Sequence, residues 1–218
     1  PPHSANPAIL ALLDDAHIGL ARIGSLADGP GFRLTMGDDI AAELATRHLV
    51  ELGHERIGLI AGPDEYELSG WRVDGWRAAM AGADLSTDGL LTQGDFSRPS
   101  GRAARRTGAG RAATPLLLDA GATAIIASND QMTLGALEVA RERGLAVPQD
   151  LSLVSFDDTP IARFNHPPLT AITQPIADVT ARAVELIIAE RGGQDAPDGP
   201  VVVAPALTVR QSTGPRRC

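Results

Sequence analysis

The 218-residue chain is 44% hydrophobic and 21% charged, the balance of a folded soluble protein rather than a disordered or membrane-embedded one. Its net charge is −8 and all 19 basic residues are arginine, so it is poorly suited to neutralise phosphates and does not by itself read as a nucleic-acid binder. No apolar run approaches the roughly 20 residues a membrane-spanning helix needs, no basic-then-apolar leader is present, and the lone Cys218 excludes an intrachain disulfide. Together these features suit a reducing, cytoplasmic setting. With aromatics at 3%, the core must be built from Ala, Leu, Ile and Val.

The pattern predicts a helix over 8–16 and a short strand over 18–23. A second helix covers 40–52, with Leu44, Leu49 and Leu52 on one stripe, Asp38 or Asp39 as N-cap and Gly53 as the terminating glycine. RIGLIA, 56–61, is a buried strand ended by Gly62-Pro63. A helix over 69–80 and a strand over 90–92 follow. ATAIIAS, 122–128, is a strand running into Asn129-Asp130, and 131–143 is a helix closed by Gly144. LSLVSF, 151–156, runs into Asp157-Asp158. Residues 171–173 are extended, 175–191 form a helix with proline in its first turn, 192–200 form a connector, and 201–209 form a last strand. Apolar strands alternating with helices point to an α/β fold with parallel sheets covered on both faces. The densest basic stretch, 98–111, has five arginines interleaved with Gly and Ala and reads as a solvated helix or loop.

In open parallel sheets the ligand crevice lies beyond the carboxyl ends of the strands. Those ends here carry Arg72, Asp95-Phe96, Asn129-Asp130 and Asp157-Asp158. Asn and Asp pair with hydroxyls, Arg offers a rigid fork of donors and Phe an apolar face, which suits a polyhydroxylated or amide-rich small molecule. Each residue also has a plainer reading. Asn129 and Asp157 could cap the helices that follow, Arg72 could be a solvated helix charge, and Phe96 could be a packing aromatic. Convergence at successive strand ends is what favours a site.

Signatures of catalysis are missing. There is no dinucleotide or phosphate-binding glycine motif, no G-x-S-x-G elbow and no H-x-x-x-H pair. The sequence therefore reads as a non-enzyme with no cofactor and no metal site, its histidines structural or on the surface.

Several stretches resemble the LacI/GalR family of transcription regulators. These are HLVELGHERIGLIAG (48–62), RVDGWRAA (72–79), SNDQMTLGALEVARERGLAVPQDLSLVSFDD (128–158), PPLTAITQP (167–175) and VRQST (209–213). The first 35 residues and 101–118 match weakly. The resemblance implies a type I periplasmic-binding-protein fold, two Rossmann-like lobes with parallel sheets, the first lobe incomplete. It implies an N-terminal lobe of 1–52 plus 175–200, a C-terminal lobe of 53–174 plus 201–213 and a tail over 214–218, with crossovers near 52–53, 174–175 and the connector before Val201. It places effector contacts on Arg72, Phe96, Asn129, Asp157 and Gln174, with Asp130 and Gln131 adjacent.

The implied function is sensing of a sugar-like effector that controls DNA binding by a homodimer. Operator DNA would be met only through a helix-turn-helix domain absent from these residues, and no membrane is involved. The alternative is a periplasmic sugar-binding protein of a transporter. FDDTP (156–160) with PPLTAITQP looks like the regulators. A lobe lacking its opening strands is expected to expose apolar surface and to aggregate unless other chain covers it. The segment 102–114, RAARRTGAGRAAT, departs from the family's usual amphipathic helix and is expected to hold a broken helix or an insertion.

Overall fold

Strands buried on both faces can be apolar at every position, and IGLIA, AIIA and SLVSF are buried throughout. The computed structural model describes residues 6–96, 109–193 and 197–217. Its first elements are α1 (Pro7–Asp15), β1 (Ala21–Ile23), β2 (Phe32–Thr35), α2 (Asp38–Glu51), β3 (Ile57–Ala61), α3 (Glu67–Gly82) and β4 (Leu91–Gln93). Then come α4 (Ala109–Asp119), β5 (Ala124–Ala127), α5 (Asp130–Glu142), β6 (Ser152–Asp157) and α6 (Pro160–Phe164). The chain ends through β7 (Thr170–Thr173), α7 (Ile176–Arg191), β8 (Val201–Val202) and β9 (Ala206–Thr208).

The strands form two sheets among the described residues. One is parallel, in the order β1-β2-β8; the other has the order β4-β3-β5-β6-β7-β9 and is parallel except for β9, which lies antiparallel on β7. In the larger sheet β3 is flanked by β4 and β5, so the strand order reverses beside it. That reversal is where a doubly wound sheet opens a crevice. The larger core packs Leu59, Ile60, Trp76, Met80, Ile125, Leu153 and Phe156 between sheet and helices. Trp76 is fully buried, and its indole N–H donates to the Ile57 carbonyl at 3.1 Å. A second core sets Val179, Ala183 and Leu186 of α7 against Phe32 and Leu34 of β2.

The structure differs from the sequence reading, or adds to it, at several places. Strand β2 is not apparent in the sequence, because FRLT is short, carries Arg33 and sits between Gly31 and Gly37. Helix α2 was expected with the first lobe, but it packs on α3 and reaches β5, β7 and β9. Its buried face is Ala41, Ala42, Ala45 and Leu49 rather than a stripe of leucines. The chain therefore passes between sheets at Gly37, which takes the left-handed conformation (φ 61°) that glycine adopts without penalty, and not at 52–53. The expected strand over 201–209 is two strands in different sheets, divided at 203–205, where Pro205 offers no N–H for a ladder. Finally, residues 109–119 are helical with Pro115 inside; the rest of the 98–114 region, through residue 108, lies outside the described residues.

Small residues set the distance between α2 and α3. A Cβ at Gly75 would stand 2.0 Å from the Asp39 carbonyl oxygen, against backbone that has no rotamer to yield. Gly75→Ala is expected to cost at least about 1–3 kcal/mol despite alanine's better helix propensity. Urea denaturation measures this, and an unchanged midpoint would show that the two helices have room to part.

Candidate functional site

Arg72 projects from the second turn of α3 and is only 3% exposed. An arginine so buried needs its charge and its donors answered. Its Nε donates to Asp38 Oδ1 at 2.8 Å and its Nη2 meets the same oxygen at 2.6 Å. Its Nη1 donates to the Ser128 carbonyl, at the end of β5, at 2.6 Å, and the guanidinium lies 4.4 Å from the centre of the Phe156 ring. One side chain thus spans the reversal between β3 and β5 and fixes the start of α2. The solvated reading of Arg72 is overturned.

Asp38 is the residue that sequence reasoning missed as a site group. It was read only as a candidate cap, yet the cap position belongs to Gly37, and Asp38 is a first-turn residue with 2% exposure. No local signal separates a capping Asp from one that answers an arginine 34 positions later. Three buried oxygens around this pair have no hydrogen-bond partner among the described residues: Asp38 Oδ2, Ser69 Oγ one turn before Arg72, and Ser128 Oγ. Buried polar atoms of this kind usually have a hydrogen-bond partner, and these three belong to the Arg72–Asp38 pair or to residues on either side of Arg72 in the fold.

Asn129 takes its capping reading. It caps α5 by accepting from Met132 N–H at 2.8 Å, which leaves its amide nitrogen free of that bond. Asp157 does not cap α6, because Thr159 holds that position ahead of Pro160. Asp157 stands instead at the end of β6 in a left-handed conformation (φ 87°). Burial pushes its carboxyl up to about 6, opposed by Arg72 and reinforced by Asp130 and Asp38.

Phe96 follows β4, and its ring occupies the space a Cβ at Gly62 would need, 1.9 Å from Cζ; Tyr66 meets it edge-on at 5.7 Å. Gln174, half-buried, follows β7. Phe96, Arg72, Asn129, Asp157 and Gln174 therefore lie at or beyond the carboxyl ends of five neighbouring parallel strands. Arg72, Asn129 and Asp157 come together, whereas Phe96 and Gln174 stand further along those strand ends and take no part in the ion pair. Gln131, in the first turn of α5, is half-buried, and Asp130 is fully engaged within the chain. A cavity of about 410 Å³ lies nearby, lined by Leu26, Thr35, Gly37, Asp39, Trp71 and Val202 at the seam between the sheets. It contains none of the five expected residues. The Arg72–Asp38 pair, by contrast, lies at the strand ends where those residues sit.

Among the described residues no group of three His, Cys, Asp or Glu side chains is placed to hold a metal ion, and no helix is long and apolar enough to cross a membrane. His54 is buried between Thr123 Oγ1, at 2.9 Å, and Ser152 Oγ, at 3.0 Å, and His48 meets Thr213 Oγ1 at 2.9 Å.

A carboxyl whose folded value lies above its unfolded one stabilises the fold at low pH and loses that contribution as pH rises through about 6. Asp157→Asn is accordingly expected to raise stability near pH 7.5 by about 1–3 kcal/mol, a gain that fades below about pH 4. Urea titrations across that range check it; a pH-independent difference would contradict the burial argument.

The periplasmic binding protein-like domain matches residues 46–213, from within α2 to beyond β9. An HTH-type transcriptional regulator in the aml 5′ region of Streptomyces limosus is 40% identical over 180 residues, covering 81% of this chain and 49% of that protein. The transcriptional regulator CelR in complex with cellobiose superposes with a TM-score of 0.78 at 30% identity, covering 92% of this chain and 61% of that one. A LacI-family regulatory protein from Chloroflexus aggregans gives a TM-score of 0.82 at 29% identity, with 94% and 72% covered. The chain spans about half the length of the curated relatives it matches. On the length of the domain match, and on sheets that superpose on those of LacI-family proteins, the chain belongs to the periplasmic binding protein-like domain family, in the form carried by LacI-type transcriptional regulators.

Proposed function

We propose that this chain is the effector-sensing part of a LacI-type regulator, with Arg72, Phe96, Asn129, Asp157 and Gln174 as its ligand contacts and Asp38 as the partner of Arg72. The observation that carries the reading is the buried Arg72 bridge from Asp38 to the end of β5, at the strand-order reversal. The lobes are proposed as the two sheets with their helices, working in a cytoplasmic homodimer that is not an enzyme. Operator DNA would be contacted by a helix-turn-helix of the kind its relatives are named for. Those relatives are regulators, which supports this reading over a transporter component.

The charges narrow the effector. Arg72 is already neutralised by Asp38, and Asp130 and Asp157 add two further carboxyls. An anionic ligand would meet net negative charge, whereas a neutral polyol finds acceptors, amide donors and the Phe96 ring. The cellobiose in the CelR complex is a ligand of that neutral class. Binding would bias lobe closure, with coupling to DNA affinity of about 1–3 kcal/mol.

The test is a thermal-shift screen of neutral sugars and nucleosides beside sugar phosphates. A neutral member present at about 100 times its Kd stabilises by about 2.7 kcal/mol, a rise of several degrees. Asp157→Ala is expected to abolish that rise. A ligand-induced shift that survives this substitution would remove the assigned site.

A further inference from the structure

We infer that Asp130 is a positioning residue, a buried two-sided staple that holds the Asp157–Asp158 turn in the shape that presents Asp157 to the cleft. The resemblance set Asp130 beside the effector contacts, but its carboxylate is spent inside the chain. It is 3% exposed, and its Oδ1 accepts from Ser155 Oγ at 2.5 Å. Its Oδ2 accepts from the backbone N–H of Thr159 at 2.8 Å and from Thr159 Oγ1 at 2.6 Å. Thr133 Oγ1 donates to Ser155 Oγ at 2.8 Å and steadies the first of these partners.

Ser155 and Thr159 flank the two residues that need holding. Asp157 and Asp158 both lie in the left-handed region, with φ of 87° and 55°. Residues with a Cβ adopt that region at a cost, and Asp is among the few that tolerate it singly. Two in succession persist only where the surroundings over-determine them. Asp130 fixes the chain on both sides of the pair from a separate element, the first turn of α5. Asp158 is itself tied onward, to Arg210 at 2.7 Å and to Thr173 Oγ1 at 2.8 Å. Among the described residues the Asp157 side chain has no such tie, and beyond the pairing of its backbone with Thr173 of β7 its direction depends on the staple. The inference rests on the effector-site reading only for the purpose it gives Asp157.

The test needs no effector and is therefore independent of whether the cleft binds one. Carbon-13 NMR follows the titration of the Asp157 carboxyl in the whole chain, in Thr159→Val and in Asp130→Asn. Arg72, Asp130 and Asp38 are the charged groups that act on this carboxyl. Thr159→Val removes a staple bond and leaves all three charges in place, whereas Asp130→Asn also removes one. If the staple holds Asp157 in its buried position, both variants lower the midpoint from about 6, Thr159→Val by at least about half a unit. Far-UV circular dichroism should stay unchanged. A midpoint that falls only in Asp130→Asn would show a charge effect alone and overturn the inference, as would no change in either variant. If Asp130→Asn does not fold, Thr159→Val still decides between these results.

Discussion

The buried ion pair between Arg72 and Asp38 is the constraint on which the rest of the cleft depends. It joins the first turn of α2, just past the passage between sheets, to α3 and to the end of β5. Taking both charges out of water costs several kcal/mol per ion, and the pair recovers this only through close geometry and further hydrogen bonds. Among the described residues that recovery runs through Asp38 Oδ1, which takes both contacts from Arg72. An apolar pair of similar volume would serve stability as well or better. A buried ion pair beside a carboxyl raised to about 6 is the kind of arrangement that functional sites hold.

The packing around the pair follows from a core poor in aromatics. Alanines on α2 and Gly75 on α3 let two helices approach to backbone distance over the sheet. That approach brings Asp38 within reach of Arg72. Trp76, one turn beyond Arg72, anchors the helix to β3 through the Ile57 carbonyl. Rigid elements thus carry the polar groups, and the strained turn at Asp157–Asp158 is held by bonds that cross from neighbouring elements.

Much of the larger sheet was legible in the sequence because buried parallel strands are continuous apolar runs, as ATAIIAS and LSLVSF are. The polar residues just after those runs fell at the strand ends for the same reason. The smaller sheet was less legible: FRLT has no periodicity long enough to register, and the run from Val201 looks unbroken unless Pro205 is weighed as the place where pairing must stop. The stripe on α2 announced an amphipathic helix but not which sheet it covers, a matter settled by contacts with residues beyond position 70. Asp38 was illegible as the partner of Arg72 for that reason. Asn129 shows the opposite case, in which the local cap legible in the sequence is the one the structure forms.

The most direct measurement is a double-mutant cycle on Asp38→Asn and Arg72→Met, read by urea denaturation and by the thermal shift from the neutral sugar that stabilises the wild type. Each single substitution should destabilise by about 3–5 kcal/mol by stranding a partner, and the double variant should regain much of that loss. With the pair gone, the sugar should no longer shift the melting temperature. A double variant that is stable and still responds to the sugar would contradict the claim that this ion pair organises the binding cleft.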